Sequence, residues 1–410
     1  MIVGDGMADR PLKELNYRTP LEAAKSKSMS QLASIGVSGL LDPIAPGVVP
    51  ESDVANLSLL GYDPSNVYTG RGPLEAVGAC IQLQEGDVAF RCNFATVDGD
   101  LKVVDERAGK VYEGLDELTE SLQALQLVPR YGIEFLFKRT LGFRGVLVLR
   151  GQNLSPSLFA LTPKLGNKAD MVKPMDDSIQ AKETADGLRS FIRASHEILK
   201  GHPVNRKRKA EGKPPANIVI PWGGGRQPNL QPLCEKYKLK AACVAAVSLI
   251  KGICKLSGMT VMDVPEATGD IDTDTTAKAR AALRALQDHD LIFLHVEGPD
   301  EASHSGNILG KISIIEKIDS MIGLILERVD PKQTWISLLA DHTTSTRLRR
   351  HTSDPAPIVI AGANVIRDGL TEYCERSASR GGLGRIRGRD LMPMVLDFLG
   401  KGKLEVVESS

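Results

Sequence analysis

Leu291-Ile292-Phe293-Leu294-His295-Val296-Glu297-Gly298-Pro299-Asp300-Glu301-Ala302-Ser303-His304 is the stretch whose reading decides the fold. It begins as an apolar run of strand length and breaks at a glycine and a proline. Asp300 and His304 come just beyond the strand. A helix comes next, because Ile308, Ile312, Ile315, Ile318, Ile322 and Ile325 recur at three- and four-residue steps and lay down one apolar stripe. Strand-length apolar stretches alternating with helix-length segments mark an α/β protein with a largely parallel sheet.

Two further segments repeat the pattern. Met1-Ile2-Val3 leads through Gly4 to Asp5-Gly6, although it is short for a strand. Residues 335–340 lead to Asp341-His342, with His351 a few residues later. More strands are expected at 145–149 and 217–221. A second helix is expected over 178–200, carrying Ile179, Ala185, Leu188, Phe191, Ile192 and Ile198 behind the cap region Asp176-Asp177. In open α/β sheets, ligands gather beyond the carboxyl ends of strands. Asp5, Asp300, His304, Asp341, His342 and His351 are therefore placed to meet. Oxygen and imidazole donors without thiolates suit two borderline-hard divalent ions. Two such ions clamp the attacking and leaving oxygens of an in-line displacement at phosphorus. Any one of these segments alone reads equally well as a strand end or a helix cap; the threefold repetition favours a metal site.

Pro50-Glu51-Ser52-Asp53-Val54-Ala55-Asn56-Leu57 sets a serine at a turn before an apolar, helical segment. In isolation that serine is a helix cap. Beside two metal ions it becomes a candidate nucleophile, since a helix start favours an anion and a metal lowers a hydroxyl's pKa. Neither Trp222-Gly223-Gly224-Gly225-Arg226 nor Thr69-Gly70-Arg71-Gly72-Pro73 has the spacing of a P-loop, and no dinucleotide fingerprint comes after a strand. Arg107, Arg144 and Arg150 are candidates to hold a phosphate and a carboxylate through paired hydrogen bonds.

The chain has 410 residues, a length that usually divides into two domains. The metal candidates fall near the start and again from Asp300 onward, which predicts a metal-binding domain at 1–86 and 200–410 interrupted by a smaller α/β (α+β) domain at 87–199. Lys and Arg total 51 and so do Asp and Glu, so no overall field draws the chain to nucleic acid or to a membrane. The basic run Asn205-Arg206-Lys207-Arg208-Lys209 accordingly reads as a solvated loop between domains. Six scattered cysteines without a CxxC pair, no membrane-length apolar run and no signal pattern predict a cytoplasmic protein with reduced thiols. Nothing in the sequence bears on oligomeric state.

Several segments taken together resemble a known family. They are Asp5-Gly6-Met7-Ala8-Asp9-Arg10-Pro11, Asp42-Pro43-Ile44-Ala45-Pro46-Gly47, Ser52-Asp53, Leu60-Gly61-Tyr62-Asp63-Pro64, Tyr68-Thr69-Gly70-Arg71-Gly72-Pro73 and Phe90-Arg91-Cys92-Asn93-Phe94. His202-Pro203-Val204-Asn205, His351-Thr352-Ser353-Asp354-Pro355-Ala356-Pro357 and Gly381-Gly382-Leu383-Gly384-Arg385-Ile386-Arg387-Gly388 continue the series in order. Nearly the whole chain is similar to the archaeal-type, 2,3-bisphosphoglycerate-independent phosphoglycerate mutases. That resemblance implies an alkaline-phosphatase-like parallel-sheet metal domain, an inserted transferase domain and an active site between them. The implied reaction interconverts 3-phosphoglycerate and 2-phosphoglycerate, in glycolysis and gluconeogenesis, through a phosphoserine. By motif, Ser52 is the nucleophile. Asp5, Ser52, Asp341 and His342 hold one metal, while Asp300, His304 and His351 hold the other. Lys278 matches a family lysine that offsets phosphate charge. The implied cofactors are two divalent ions, Mn first, with Zn, Co or Mg as alternatives, and no bisphosphoglycerate. The implied partners are phosphoglycerates. Asn56 stands where many archaeal relatives have His, though bacterial relatives also carry Asn. Residues 159–164 lack an expected Asp and His, Glu266 replaces a usual Gly, and Asp270 replaces an aromatic or apolar residue. The alternative is a related homoserine-kinase-like phosphotransferase, against which stands the lack of an ATP loop.

Overall fold

Ile2–Gly4, short as it is, forms a strand between Leu291–Val296 on one side and Ile336–Leu339 on the other, all three parallel. The computed structural model describes residues 1–123 and 132–402. Among these, an eight-stranded sheet runs in the order Thr260–Val261, Ala241–Val244, Leu291–Val296, Ile2–Gly4, Ile336–Leu339, Ala356–Ala361, Gly36–Asp42, Gly384–Arg387. Ala356–Ala361 lies antiparallel to both its neighbours, so the sheet is mixed rather than wholly parallel. The cause is local. Between Leu339 and Ala356 the chain makes only the hairpin of Thr343–Ser345 with Arg350–Thr352, and a return without a helical crossover permits an antiparallel neighbour.

The helix expected after His304 spans Ile308–Leu326. Asn307 caps it, accepting a hydrogen bond from the Gly310 amide at 2.8 Å. Ile315, Ile318, Ile322 and Ile325 are buried as the periodicity requires, while Ile308 and Ile312 are only half-buried. Ile314 and Met321 widen the buried face, because the helix also packs on the helices Thr275–Ala285, Gly298–His304 and Lys27–Ser34. Ile292, Leu294 and Val296, alternate residues of their strand, belong to the same core.

The chain folds as two compact units, Met1–Val67 with Leu230–Ser410, and Tyr68–Asn229. The second has its own core, which includes Phe90, Phe94, Leu147, Leu188, Phe191 and Ile192. It is built on an antiparallel sheet in which Val88–Val97 pairs with Arg144–Arg150 and with Ile218–Gly225. The strands expected at 145–149 and 217–221 are therefore found here. The helix expected over 178–200 spans Ile179–Lys200, with Ser178 as its cap. Residues 87–199 lie within this unit, which also takes in the helix Arg71–Gly78 and the strand Ile218–Gly225, since both pack on Val88–Val97. Gly72 permits that packing: a Cβ there would run into the Ala89 carbonyl.

The basic run is not a loop. Pro203–Ala210 is a helix with Pro203 in its first turn and the His202 side chain accepting from the Val204 amide. Asn205 and Arg208 are buried. Arg208 donates to the carbonyls of Val111 and Glu113, and Lys207 pairs with the Glu113 carboxylate at 3.0 Å. The lysines and arginines hid a helix whose inward positions are polar and bonded.

Candidate metal centre

Three parallel strands that end together deliver the residues beyond them to one edge. Val3 is in register with both His295 and Leu339, and the Asp5 amide donates to the Val296 carbonyl at 2.9 Å. The Asp and His side chains expected to meet lie in two neighbouring groups, with His342 in reach of both, since one of its nitrogens also lies within 4.8 Å of the donor atoms of Asp300 and His351.

The first group is Asp300, His304 and His351. His304 Nε2 lies 3.4 Å from Asp300 Oδ2, His351 Nε2 lies 3.4 Å from Asp300 Oδ1, and the two nitrogens are 3.2 Å apart. Each ring's Nδ1 faces a backbone carbonyl, Arg349 O at 2.9 Å for His304 and Pro50 O at 2.8 Å for His351. A carbonyl only accepts, so it assigns a proton to Nδ1 and leaves both Nε2 atoms facing the shared carboxylate. Metal-ligating histidines have this outer bond. Burial opposes charging His351, yet the hydrogen bond and charge of Asp300 raise it to about 10. A divalent ion among these donors would take that proton's place. Burial also works against the Asp300 carboxylate, but His304 and His351 hold it well below the usual range.

The second group is Asp5, Ser52, Asp341 and His342. His342 Nε2 is 3.0 Å from Ser52 Oγ, 3.2 Å from Asp5 Oδ1 and 3.7 Å from Asp341 Oδ2. Asp341 accepts from the Gly6 amide at 3.1 Å and from Asn56 Nδ2 at 2.8 Å. Burial and then the charge of Asp5 push Asp341 up to about 6. Two buried carboxylates side by side are costly without a cation to share. Burial lowers His342 to about 4, which keeps its imidazole in the neutral form that ligates metals. Buried carboxylates, a hydroxyl and neutral imidazoles are the donor chemistry of two divalent ions, so the residues fit the groups the resemblance implies.

Thr344 ties the groups together. Its hydroxyl donates to Asp300 Oδ1 at 2.7 Å and stands 3.0 Å from His342 Nδ1. The rings of His342 and His351 stack with centroids 3.9 Å apart. Ser52 is the first residue of the helix Ser52–Leu59 and is buried. Asn56, one turn on, donates to the Ser52 carbonyl as well as to Asp341. Lys278 is fully buried, and its ammonium donates to the His295 carbonyl at 2.7 Å rather than to Ser52. Burial lowers Lys278 to about 8, although Glu297 works to raise it.

The arginine candidates lie in the unit Tyr68–Asn229. The guanidinium groups of Arg107 and Arg144 each stand 5.6 Å from the centre of the Phe143 ring. Arg150 is at the other end of the strand Arg144–Arg150, roughly 20 Å along at the usual rise. There it pairs with the buried Asp87 at 2.7 Å. The sequence reading missed Arg71 and Arg91, which hold the buried Glu75 carboxylate at 3.1 Å each and lie over the Trp222 ring. The signal was present, because both arginines sit inside segments that carry the family resemblance. His295, Asn56 and Thr344 were also not expected as members of the centre. His295 was marked only by being polar in an apolar strand.

An apolar cavity of about 450 Å³ opens at the amino ends of the same strands, lined by Met1, Ile2, Leu291, Trp335, Ile336 and Phe398 among others. The donor groups are at the opposite ends. No helix among the described residues is long and apolar enough to cross a membrane, and all six cysteines are free thiols.

The family described as 2,3-bisphosphoglycerate-independent phosphoglycerate mutase matches residues 33–205. The 2,3-bisphosphoglycerate-independent phosphoglycerate mutase of Methanopyrus kandleri is 47% identical over 405 residues, covering 97% of this chain and 95% of its own. The 2,3-bisphosphoglycerate-independent phosphoglycerate mutase 1 of Methanothermobacter thermautotrophicus is 43% identical over 403 residues, 98% of each. Among solved structures, a protein of Pyrococcus horikoshii aligns with a TM-score of 0.82 at 36% identity, over 98% of this chain and 97% of that one. The cofactor-independent phosphoglycerate mutase of Thermoplasma acidophilum aligns at 0.63 and 32%, over 97% and 98%.

Proposed function

The chain belongs to the 2,3-bisphosphoglycerate-independent phosphoglycerate mutases, and on that premise we propose that it interconverts 3-phosphoglycerate and 2-phosphoglycerate through a phosphoserine at Ser52. The observation that carries the reading is a buried serine hydroxyl at a helix start, 3.0 Å from His342 and beside a second group of metal donors. We assign Asp5, Ser52, Asp341 and His342 to one divalent ion and Asp300, His304 and His351 to another, with Mn expected first and Zn, Co or Mg as alternatives. When bound, the ions lower the serine's pKa and neutralise charge developing on the phosphoryl oxygens.

Ser52 Oγ attacks phosphorus. The new Oγ–P bond forms as the bond from phosphorus to the C3 oxygen breaks, and that oxygen receives a proton in exchange for the one Ser52 gives up. The glycerate then turns so that its C2 hydroxyl attacks the phosphoserine, and Ser52 recovers a proton as its own bond to phosphorus breaks. Phosphate leaves and returns within one turnover, so no bisphosphoglycerate is consumed or required. The amino end of the helix Ser52–Leu59 favours the phosphoserine's charge. Lys278 adds positive charge behind His295. We read Tyr68–Asn229 as the transferase-type insertion, with Arg107 and Arg144, joined by Arg71 and Arg91, recognising the substrate's anionic groups. A cytoplasmic setting, where the six thiols stay reduced, belongs to the same reading.

The test is formation of 2-phosphoglycerate from 3-phosphoglycerate with added Mn and no bisphosphoglycerate, against a chelated control. Metal-dependent product is expected. A folded, metal-loaded chain that makes none overturns the assignment.

A further inference from the structure

We propose that His295 is a fifth donor of the centre at Asp5 and Asp341, its imidazole ligating the divalent ion those carboxylates hold. The proposal rests on the two-ion reading above and adds a residue to it. His295 lies in the strand Leu291–Val296, in register with Val3, two residues before Asp5. Its side chain is fully buried. Strand alternation separates it from Ile292, Leu294 and Val296, which pack in the main core, and sets it beside Phe293, whose ring lies nearly parallel at 6.3 Å.

Neither ring nitrogen of His295 makes a hydrogen bond with the protein, although Nε2 is only 3.3 Å from Asp5 Oδ2. Buried polar groups are almost always bonded, and one left unmade is costly enough to need an explanation. The donor atoms of His295, Asp5 and Asp341 lie within 4.8 Å of one another. A cation among the three would give the imidazole the partner it lacks and would also relieve the paired carboxylates. The backbone holds the ring in place for this, because the His295 carbonyl accepts from the buried Lys278 ammonium at 2.7 Å.

The competing account is that His295 only positions Asp5 and never touches the ion. The two accounts differ in how many imidazole nitrogens the ion sees. With His295, each of the two ions has two: His304 and His351 at one, His342 and His295 at the other. Without it, the second ion has one.

The experiment uses the full-length chain loaded with Mn(II), binding being followed by equilibrium dialysis and directly bound nitrogens by pulsed electron paramagnetic resonance. Wild type is compared with His295→Gln. Two ions per wild-type chain establish the premise, and fewer than two remove the premise and the proposal together. In His295→Gln, one ion is expected to bind at least roughly tenfold more weakly, no less than the loss of an outer partner costs, and to lose one nitrogen coupling, while the other is unchanged. Two ions at wild-type affinity overturn the proposal. So does weakened binding with every nitrogen coupling retained, since that is the signature of a positioning residue. If the variant does not fold, wild type labelled with ¹⁵N-histidine decides the point: two coupled imidazoles at each ion support ligation, and two at one ion with a single one at the other overturn it.

Discussion

Ser52 shows what a single side chain contributes at this centre. Its backbone carbonyl is tied to Asn56 and its helix needs no bond from its hydroxyl, so Ser52→Ala removes the proposed nucleophilic atom and little else. Turnover is expected to fall at least roughly 10³-fold, while circular dichroism and melting stay near wild type. Label from ³²P-phosphoglycerate should no longer be found on the quenched protein; turnover within tenfold of wild type would remove Ser52 from the nucleophile's role. Glu375 gives a second residue-scale expectation. It is buried, accepts from the Asp9 amide at 3.0 Å and the Thr19 hydroxyl at 2.6 Å, and burial lifts its carboxyl to about 7. The folded chain therefore holds this proton more tightly than the unfolded chain, so the stability it gives is full below pH about 4.5 and is lost as pH rises to about 7. Relative to Glu375→Gln, wild type should lose on the order of 3 kcal/mol across that window in urea titrations and then level off. A flat difference from pH 4 to 8 would show that Glu375 ionises normally. Asp5, Asp300 and Asp341 were legible in the sequence because each comes after an apolar run, where a strand end exposes its successors. His295 was not, because inside a run a polar residue has no signature of what it faces.

Helices and strands decide which of these residues meet, and periodicity located most of them. The helix Ile308–Leu326 was visible from its isoleucines, and its start can be tested at the cap. Asn307→Ala removes the acceptor for the Gly310 amide and is expected to cost about 1 kcal/mol in reversible denaturation. Asn307→Asp should retain most of that stability, and an alanine variant as stable as wild type would mean the amide finds another acceptor. Strand direction was much less legible. Ala356–Ala361 has the same apolar character as the parallel strands of the sheet, and only the hairpin before it reverses its course. The arginines show the same difference. Arg144 and Arg150 look like neighbours in sequence, but a fully extended strand carries them to opposite ends, one to Phe143 and the other to Asp87. The basic segment at Pro203–Ala210 misled for another reason, since its inward positions are the polar Asn205 and Arg208, which composition reads as exposed.

At the scale of the whole molecule the chain comprises two compact units with separate cores, and all the proposed metal donors belong to the one formed by Met1–Val67 and Leu230–Ser410. The gap between Ser52 and Asp300 is what led the sequence to be read as an interrupted domain. The compact units take in Arg71–Gly78 and Ile218–Gly225 through what these pack on, and a sequence pattern does not name the partner. The division makes metal binding a statement about stability as well as chemistry. An ion that binds only the folded centre stabilises it by about 2.7 kcal/mol at a hundredfold excess over its Kd. Asp5 and Asp341, buried together, should make the chelated form weaker. The chain carries two tryptophans, Trp335 immediately before the strand that leads to Asp341 and Trp222 in the other unit. Trp222→Phe leaves Trp335 to report the metal-bearing unit, and Trp335→Phe leaves Trp222 to report the second. In guanidinium titrations the Trp335 transition is expected to move to higher denaturant on adding Mn and to fall back on chelation, while the Trp222 transition stays in place. Equal movement of both would mean that the units unfold as one. No movement of either would mean that the donor groups hold no ion in the folded state, and the two-ion reading would fail on stability alone, before any substrate is added.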